Sequence, residues 1–91
     1  MNIEELADLI EVDLVIRRYA GQNGRHTASF DRVEIIDGRL LRSDCGNGSS
    51  PRKAINDYIE KIRNKRIVIN AMLENRKEFR VPKNLGISYD T

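Results

Sequence analysis

Residues 49–64 constrain the fold more than any other stretch. Ser49 or Ser50 can cap a helix, and Pro51 sits at the first helical position, where a missing N–H costs nothing. Ala54, Ile55, Tyr58, Ile59 and Ile62 then recur at three and four spacing, which makes one apolar face. The pattern predicts a helix ending near Asn64. An amphipathic helix needs a surface on which to bury that face, and the rest of the chain offers short strands.

Those strands are read from alternation and turn residues. Residues 11–20 place Val12, Leu14 and Ile16 on one face and Asp13 and Arg17 on the other. Gly21-Gln22-Asn23-Gly24 is a hairpin turn, because Asn-Gly tolerates the positive φ that such turns require. Residues 26–36 form a second strand. Its parity shifts from Ala28 and Phe30 to Val33 and Ile35, which predicts a bulge near Asp31-Arg32. Asp37-Gly38 turns the chain into a third strand over 39–44, completing a meander.

Residues 66–70 and 77–81 are two further short strands, with Phe79 and Val81 facing inward and Pro82 as the stop. Residues 71–76 are a loop or a single helical turn. At the start of the chain, Asn2 can cap a short helix over 2–8, and Glu4 and Glu5 suit the positive end of its dipole. Ile3, Leu6, Leu9 and Ile10 should pack on the sheet. The tail after Leu85 is polar and expected to be loosely held. The fold class expected is therefore α+β, in one domain over residues 1–91. It comprises an antiparallel meander sheet, one main helix packed on a face, and two further short strands.

Charge and composition narrow the function. Net charge is +2, but residues 1–16 hold five carboxylates and no cation, while residues 52–66 hold six cations against two carboxylates. Such asymmetry serves an anionic ligand or a complementary subunit contact. Two Phe, three Tyr and no Trp argue against a stacking platform for single-stranded nucleic acid. A single cysteine permits no internal disulfide. With no long apolar run and no signal segment, a cytoplasmic chain without membrane contact is expected. One His and one Cys make no zinc site, so no metal or cofactor is expected.

Several candidate sites follow. Gly46-Asn47-Gly48-Ser49-Ser50 before a helix has the form of an anion-binding turn, although no Lys-Ser/Thr pair follows as in a P-loop. The plainer reading is a glycine turn and a serine cap. Arg17, Arg18, Arg25, Arg76 and Arg80 lie on strands or strand ends, and arginine is the usual bidentate partner of phosphate. Asn70, Arg76 and Arg80 sit close in sequence around two strands, where an amide can read a base or ribose and guanidinium groups a phosphate. His26, Ser43 and Cys45 lack the spacing of an acid–base or nucleophile set, and Asp31, Glu34, Asp37 and Asp44 show no metal-ligand spacing. Arg52, Lys53, Lys61, Arg63, Lys65 and Arg66 could meet duplex phosphates, but Asp57 and Glu60 interrupt them, so nucleic acid is not the partner expected.

The run Gly46-Asn47-Gly48-Ser49-Ser50-Pro51-Arg52-Lys53-Ala54-Ile55 resembles the strand–loop–helix unit of HicB-type antitoxins. The run Lys65-Arg66-Ile67-Val68-Ile69-Asn70-Ala71, followed by Asn75-Arg76-Lys77-Glu78-Phe79-Arg80-Val81-Pro82, looks more like small phage accessory proteins. These include the anti-Thoeris nucleotide sponges and phage α/β-sandwich domains. The sponge resemblance implies a non-enzymatic, multimeric protein that sequesters cyclic ADP-ribose-type or cyclic nucleotide signals through Arg, Asn and aromatic side chains. Carried over residue by residue, it points to Asn70, Arg76, Phe79 and Arg80. Against the antitoxin resemblance, no second, DNA-binding domain is expected in a single domain over residues 1–91.

Three functions are expected in order. The first is a phage counter-defence protein in the host bacterial cytosol. It binds and sequesters a nucleotide signal as a homo-oligomer, through Asn70, Arg76, Arg80, Phe79, Arg17 and Arg25. The second is a protein-interaction module or inhibitor that blocks a bacterial defence protein. The third, a small enzyme, lacks a catalytic constellation in the sequence.

Overall fold

A computed structural model describes residues 1–21 and 23–86. It shows an α+β fold of two helices and two antiparallel sheets. Helix α1 (Ile3–Ile10) begins at Asn2, whose side chain accepts from Glu5 N at 2.8 Å while Glu5 Oε1 accepts from Asn2 N at 3.3 Å. This reciprocal capping box satisfies two otherwise orphaned donors. The helix ends at Glu11 in a left-handed conformation, and Val12 N then donates to the Ala7 carbonyl.

Strand β1 (Leu14–Arg18) and strand β2 (His26–Phe30) form a hairpin in which Leu14 faces Phe30 and Arg18 faces His26. Gly21, Asn23 and Gly24 all have positive φ in the connection. The Tyr19 N–H donates to the Arg25 carbonyl, so the loop is longer than a two-residue turn. His26 Nδ1 meets the Gly24 carbonyl, which can only accept, so this nitrogen carries the proton.

The expected long strand over 26–36 is in fact two strands. The chain turns at Asp31-Arg32, with Arg32 at φ +60, and enters another sheet as strand β3 (Val33–Asp37). The parity shift in the sequence therefore marks a change of sheet rather than a bulge, and the first three strands do not form one meander. Strand β4 (Leu40–Arg42) pairs back on β3 through a two-residue turn with Gly38 at φ +62.

Strand β5 (Gly46–Gly48) joins β2 to complete the first sheet, in the order β1-β2-β5. The glycine-rich segment expected to be a turn is thus an edge strand. Helix α2 (Pro51–Ile62) lies directly against it, with Ser50 accepting from Lys53 N as N-cap. A Cβ on Gly46 would fall 2.0 Å from the Ala54 carbonyl oxygen, and one on Gly48 would fall 2.6 Å from Ala54 N. Two glycines in alternate positions let helix and strand backbones approach this closely.

Strand β6 (Arg66–Ile69) and strand β7 (Lys77–Arg80) complete the second sheet, in the order β4-β3-β6-β7. Residues 70–76 form turns, held by Leu73 N to the Asn70 carbonyl and Arg76 N to the Leu73 carbonyl. One core joins both sheets and both helices, from Ile3 and Leu6 through Phe30, Tyr58 and Ile62 to Ile67, Val81 and Leu85. Tyr58 meets Phe30 edge to face, with centroids 5.5 Å apart and planes at 87°.

Two residues expected in the core are outside it. Leu9 is 56% exposed at the side of α1, and Ile16 is 40% exposed because α2 lies over β2 and β5 rather than over β1. Leu85 is buried and Gly86 bridges to Asn2. The polar tail expected beyond them lies outside the described residues.

Candidate functional site

The six arginine, asparagine and aromatic positions singled out in the sequence do not converge. Asn70 has φ +55, its N–H donates to the Arg32 carbonyl at 2.9 Å, and its Oδ1 accepts from Arg32 Nη1 at 3.3 Å. It therefore holds the corner between β2 and β3 against the turn after β6. Asparagine is one of the few side-chain-bearing residues that adopt this backbone readily. Arg32 also donates through Nη2 to the Glu11 carbonyl, tying the end of α1 to the same corner.

Arg76 pairs with Glu78 at 3.7 Å, and Arg80 donates through Nη1 to the Asn64 carbonyl at 3.1 Å. Glu78 is also bonded to Arg66. Phe79 faces the opposite side of its sheet from these charges and packs against the core. Asn70 therefore lies apart in function from Arg76 and Arg80, and all three have structural partners.

Arg17 and Arg25 are brought together, on the face of the first sheet that α2 does not cover. Alternation and register place three rows there. Tyr19 lies beside Arg25, Arg17 beside Thr27 and Asn47, and Val15 beside Ser29. A cavity of about 190 Å³ opens on this face, lined by Val15, Arg17, Tyr19, Thr27, Ser29 and Cys45, with Asp31 at one end. Arg25 is fixed at its rim. Its Nε and Nη2 donate to Asn47 Oδ1 at 3.2 and 2.8 Å, and its guanidinium lies 5.1 Å from the centre of the Tyr19 ring. Asn47 is held in turn by its own N–H, which donates to Asp57 Oδ2 at 2.8 Å.

Arg17 differs from Arg25. Among the described residues it has no hydrogen-bond or ion-pair partner, and the same holds for the side chains of Thr27 and Ser29. Asp31, at the end of the cavity, pairs with Arg32 at 3.8 Å. The face thus offers one uncompensated guanidinium, two unengaged hydroxyls, and an aromatic ring backed by a second guanidinium. That set suits a phosphate-bearing ligand with a planar group.

Of the residues on this face, the sequence singles out Arg17 and Arg25 but not Tyr19, Thr27 or Ser29. Tyr19 was within reach, since alternation from Arg17 places it in the same column. Thr27 and Ser29 were not, because their positions beside Arg17 and Val15 depend on a register set by the unusual loop between β1 and β2.

The other candidates resolve into structural roles. The Gly46-x-Gly48 segment is covered by α2, so it is no open phosphate cradle. Lys61 pairs with Asp57 at 3.3 Å and Asp44 at 3.6 Å and donates to the Cys45 carbonyl at 2.7 Å. Arg63 pairs with Glu60 at 3.0 Å and donates to the Leu85 carbonyl. Arg42 takes up both Asp37 and Asp44. Among the described residues, no group of three or more His, Cys, Asp or Glu side chains is placed to hold a metal ion. No described helix is long and apolar enough to cross a membrane.

A second cavity, of about 380 Å³, lies between the β2–β3 corner and the turn after β6. Phe30, Val33, Ala71, Met72 and Leu73 give it apolar walls, with Arg32, Glu34 and Asp44 among its polar members. Met72 is 90% exposed at its edge. No family model matches this chain, and no curated protein or solved structure matches it either.

Proposed function

We propose that the protein binds and sequesters a small phosphate-bearing signal of the cyclic nucleotide or ADP-ribose type, without transforming it. The observation that supports this reading most directly is Arg17, which has no partner among the described residues and lines a cavity beside the Thr27 and Ser29 hydroxyls. In this reading Arg17 takes a phosphate through charge-assisted hydrogen bonds, the hydroxyls take further phosphate or sugar oxygens, and Tyr19 with Arg25 supports the planar base. The cavity volume of about 190 Å³ suits the phosphoryl-sugar part of such a ligand, leaving the base along the open sheet. The resemblance to small phage accessory proteins points to the same class of ligand and to a counter-defence role.

The test starts with protein purified from bacteria that produce such signals. After denaturation, mass spectrometry should find released nucleotide. Added cyclic ADP-ribose-type compounds or cyclic dinucleotides should raise the melting temperature of emptied protein. Arg17→Ala should lose that shift, while Arg76→Ala should keep it. Absence of both released nucleotide and any thermal shift would sink the reading.

A second reading rests on a different observation. Met72 and Leu73 stand exposed at the mouth of the larger apolar cavity, an arrangement that suits an inhibitor docking on a bacterial defence protein. If Met72→Glu abolished counter-defence in cells while Arg17→Ala left it intact, this second reading would replace the first.

A further inference from the structure

Strand β7 is the last strand of the second sheet, and no described element pairs with its outer side. The phase of its hydrogen bonds is set by Val81 N, which donates to the Lys65 carbonyl at 2.8 Å. Bonded pairs in an antiparallel ladder alternate, so Ile67 and Phe79 form the next bonded pair. The main-chain groups of Phe79 therefore point at β6, and those of Glu78 and Arg80 point outward. Open edges of this kind are templates for another strand.

The side chains select which strand. On the outer face of the sheet, Arg80 lies directly opposite Arg66, two like charges side by side. Arg80 has no carboxylate partner among the described residues; its one bond is to the Asn64 carbonyl. On the inner face, Phe79 borders an apolar groove of about 210 Å³ shared with Leu9 and Ile10 of α1, and Leu9 is largely exposed there.

We propose that β7 pairs antiparallel with β7 of a second copy of this chain, making one continuous eight-stranded sheet across a two-fold axis at Phe79. A two-fold contact must be self-complementary, and only one register of this strand is. Placing Glu78 opposite Glu78, or Arg80 opposite Arg80, sets like charges against each other. The latter register also spends a position on Pro82, which has no N–H. Moving the axis to Lys77 requires the Arg76 N–H, which already donates to the Leu73 carbonyl. With the axis at Phe79, Glu78 of each copy bonds main chain to main chain with Arg80 of the other, and both pairs carry opposite charges. Arg80 then gains the carboxylate it lacks. The two Phe79 rings meet at the non-bonded position, where side chains approach most closely, and the Leu9 grooves join.

Sedimentation equilibrium over a concentration series should show a monomer–dimer system. Arg80→Glu gives up the bond to the Asn64 carbonyl but replaces the Arg66–Arg80 repulsion inside each chain by attraction, so the variant should still fold, which its circular dichroism checks. Across the axis, the substituted carboxylate would oppose Glu78 twice, and association should weaken about tenfold or more. The double exchange Glu78→Arg with Arg80→Glu should restore the dimer. In the parent, the Glu78 and Arg80 amide protons should exchange more slowly as concentration rises. A parent that stays monomeric throughout, an Arg80→Glu variant that dimerises like the parent, or a folded double variant that remains monomeric would each overturn the proposal.

Discussion

Gly46 shows how a single residue can decide an interface inside the protein. An added methyl there meets helix backbone, at the Ala54 carbonyl and at Tyr58 N, and backbone cannot rotate out of the way. Gly46→Ala should therefore force α2 off β5, at about 3 kcal/mol or more. Gly86→Ala, whose Cβ would meet nothing within 4 Å, should change stability by less than about 0.5 kcal/mol. Urea unfolding of the two variants checks the contrast, and equal losses would show that the contact at Gly46 relaxes. Asn70 makes a related point about side chains. It has the residue type expected of a nucleotide reader, yet its backbone conformation and its bonds to Arg32 account for it without a ligand. Among the arginines, what separates Arg17 from Arg76 and Arg80 is not residue type or strand position but whether a partner is already present.

At the scale of elements, α2 is defined by its own sequence and positioned by the sheet beneath it. Its cap is local: Ser50 Oγ accepts from Lys53 N at 3.2 Å, and Pro51 fills the first turn. Ser50→Ala should cost about 1 kcal/mol, measurable as a lower urea midpoint with an unchanged slope, since the buried surface does not alter. A loss below a few tenths of a kcal/mol would mean that the Ser49 hydroxyl replaces it. The strands behave differently. β2 and β3 are adjacent in sequence and would continue as one strand if local propensity alone ruled. Arg32 divides them, because its carbonyl, its guanidinium and its left-handed backbone are all used by the corner with Asn70 and Glu11.

Across the whole molecule, both sheets and both helices share one core, and Tyr58 is buried in it edge to face with Phe30. Burial pushes its phenol up to about 12, against a backbone hydrogen bond from Phe30 that works the other way; the nearby Asp44 and Cys45 add to the rise. The neutral phenol is thus favoured in the fold. Its contribution is complete below pH 10, where the unfolded chain also keeps the proton, and is lost as pH climbs from 10 toward 12. The full effect is on the order of 2–3 kcal/mol. Urea unfolding across that range should show stability falling more steeply in the parent than in Tyr58→Phe. Parallel curves for the two would show that Tyr58 ionises as freely in the fold as in the unfolded chain.

The sequence by itself determined the features whose causes are local. These are the capped amphipathic helix, the short helix at Asn2, the turns at Asn23-Gly24 and Gly38, the two late strands and the α+β class. Each follows from residues within a turn or two of one another, so spacing and turn chemistry suffice. Tertiary structure alone decided the division of the strands into two sheets, the close packing that requires Gly46 and Gly48, and which arginines are free. Those outcomes depend on partners far apart in the chain. Arg32 meets Asn70 across 38 positions and Arg25 meets Asn47 across 22. Whether a guanidinium is spent on the fold or left for a ligand is set by register and contact, and neither is written in the spacing of residues along the chain.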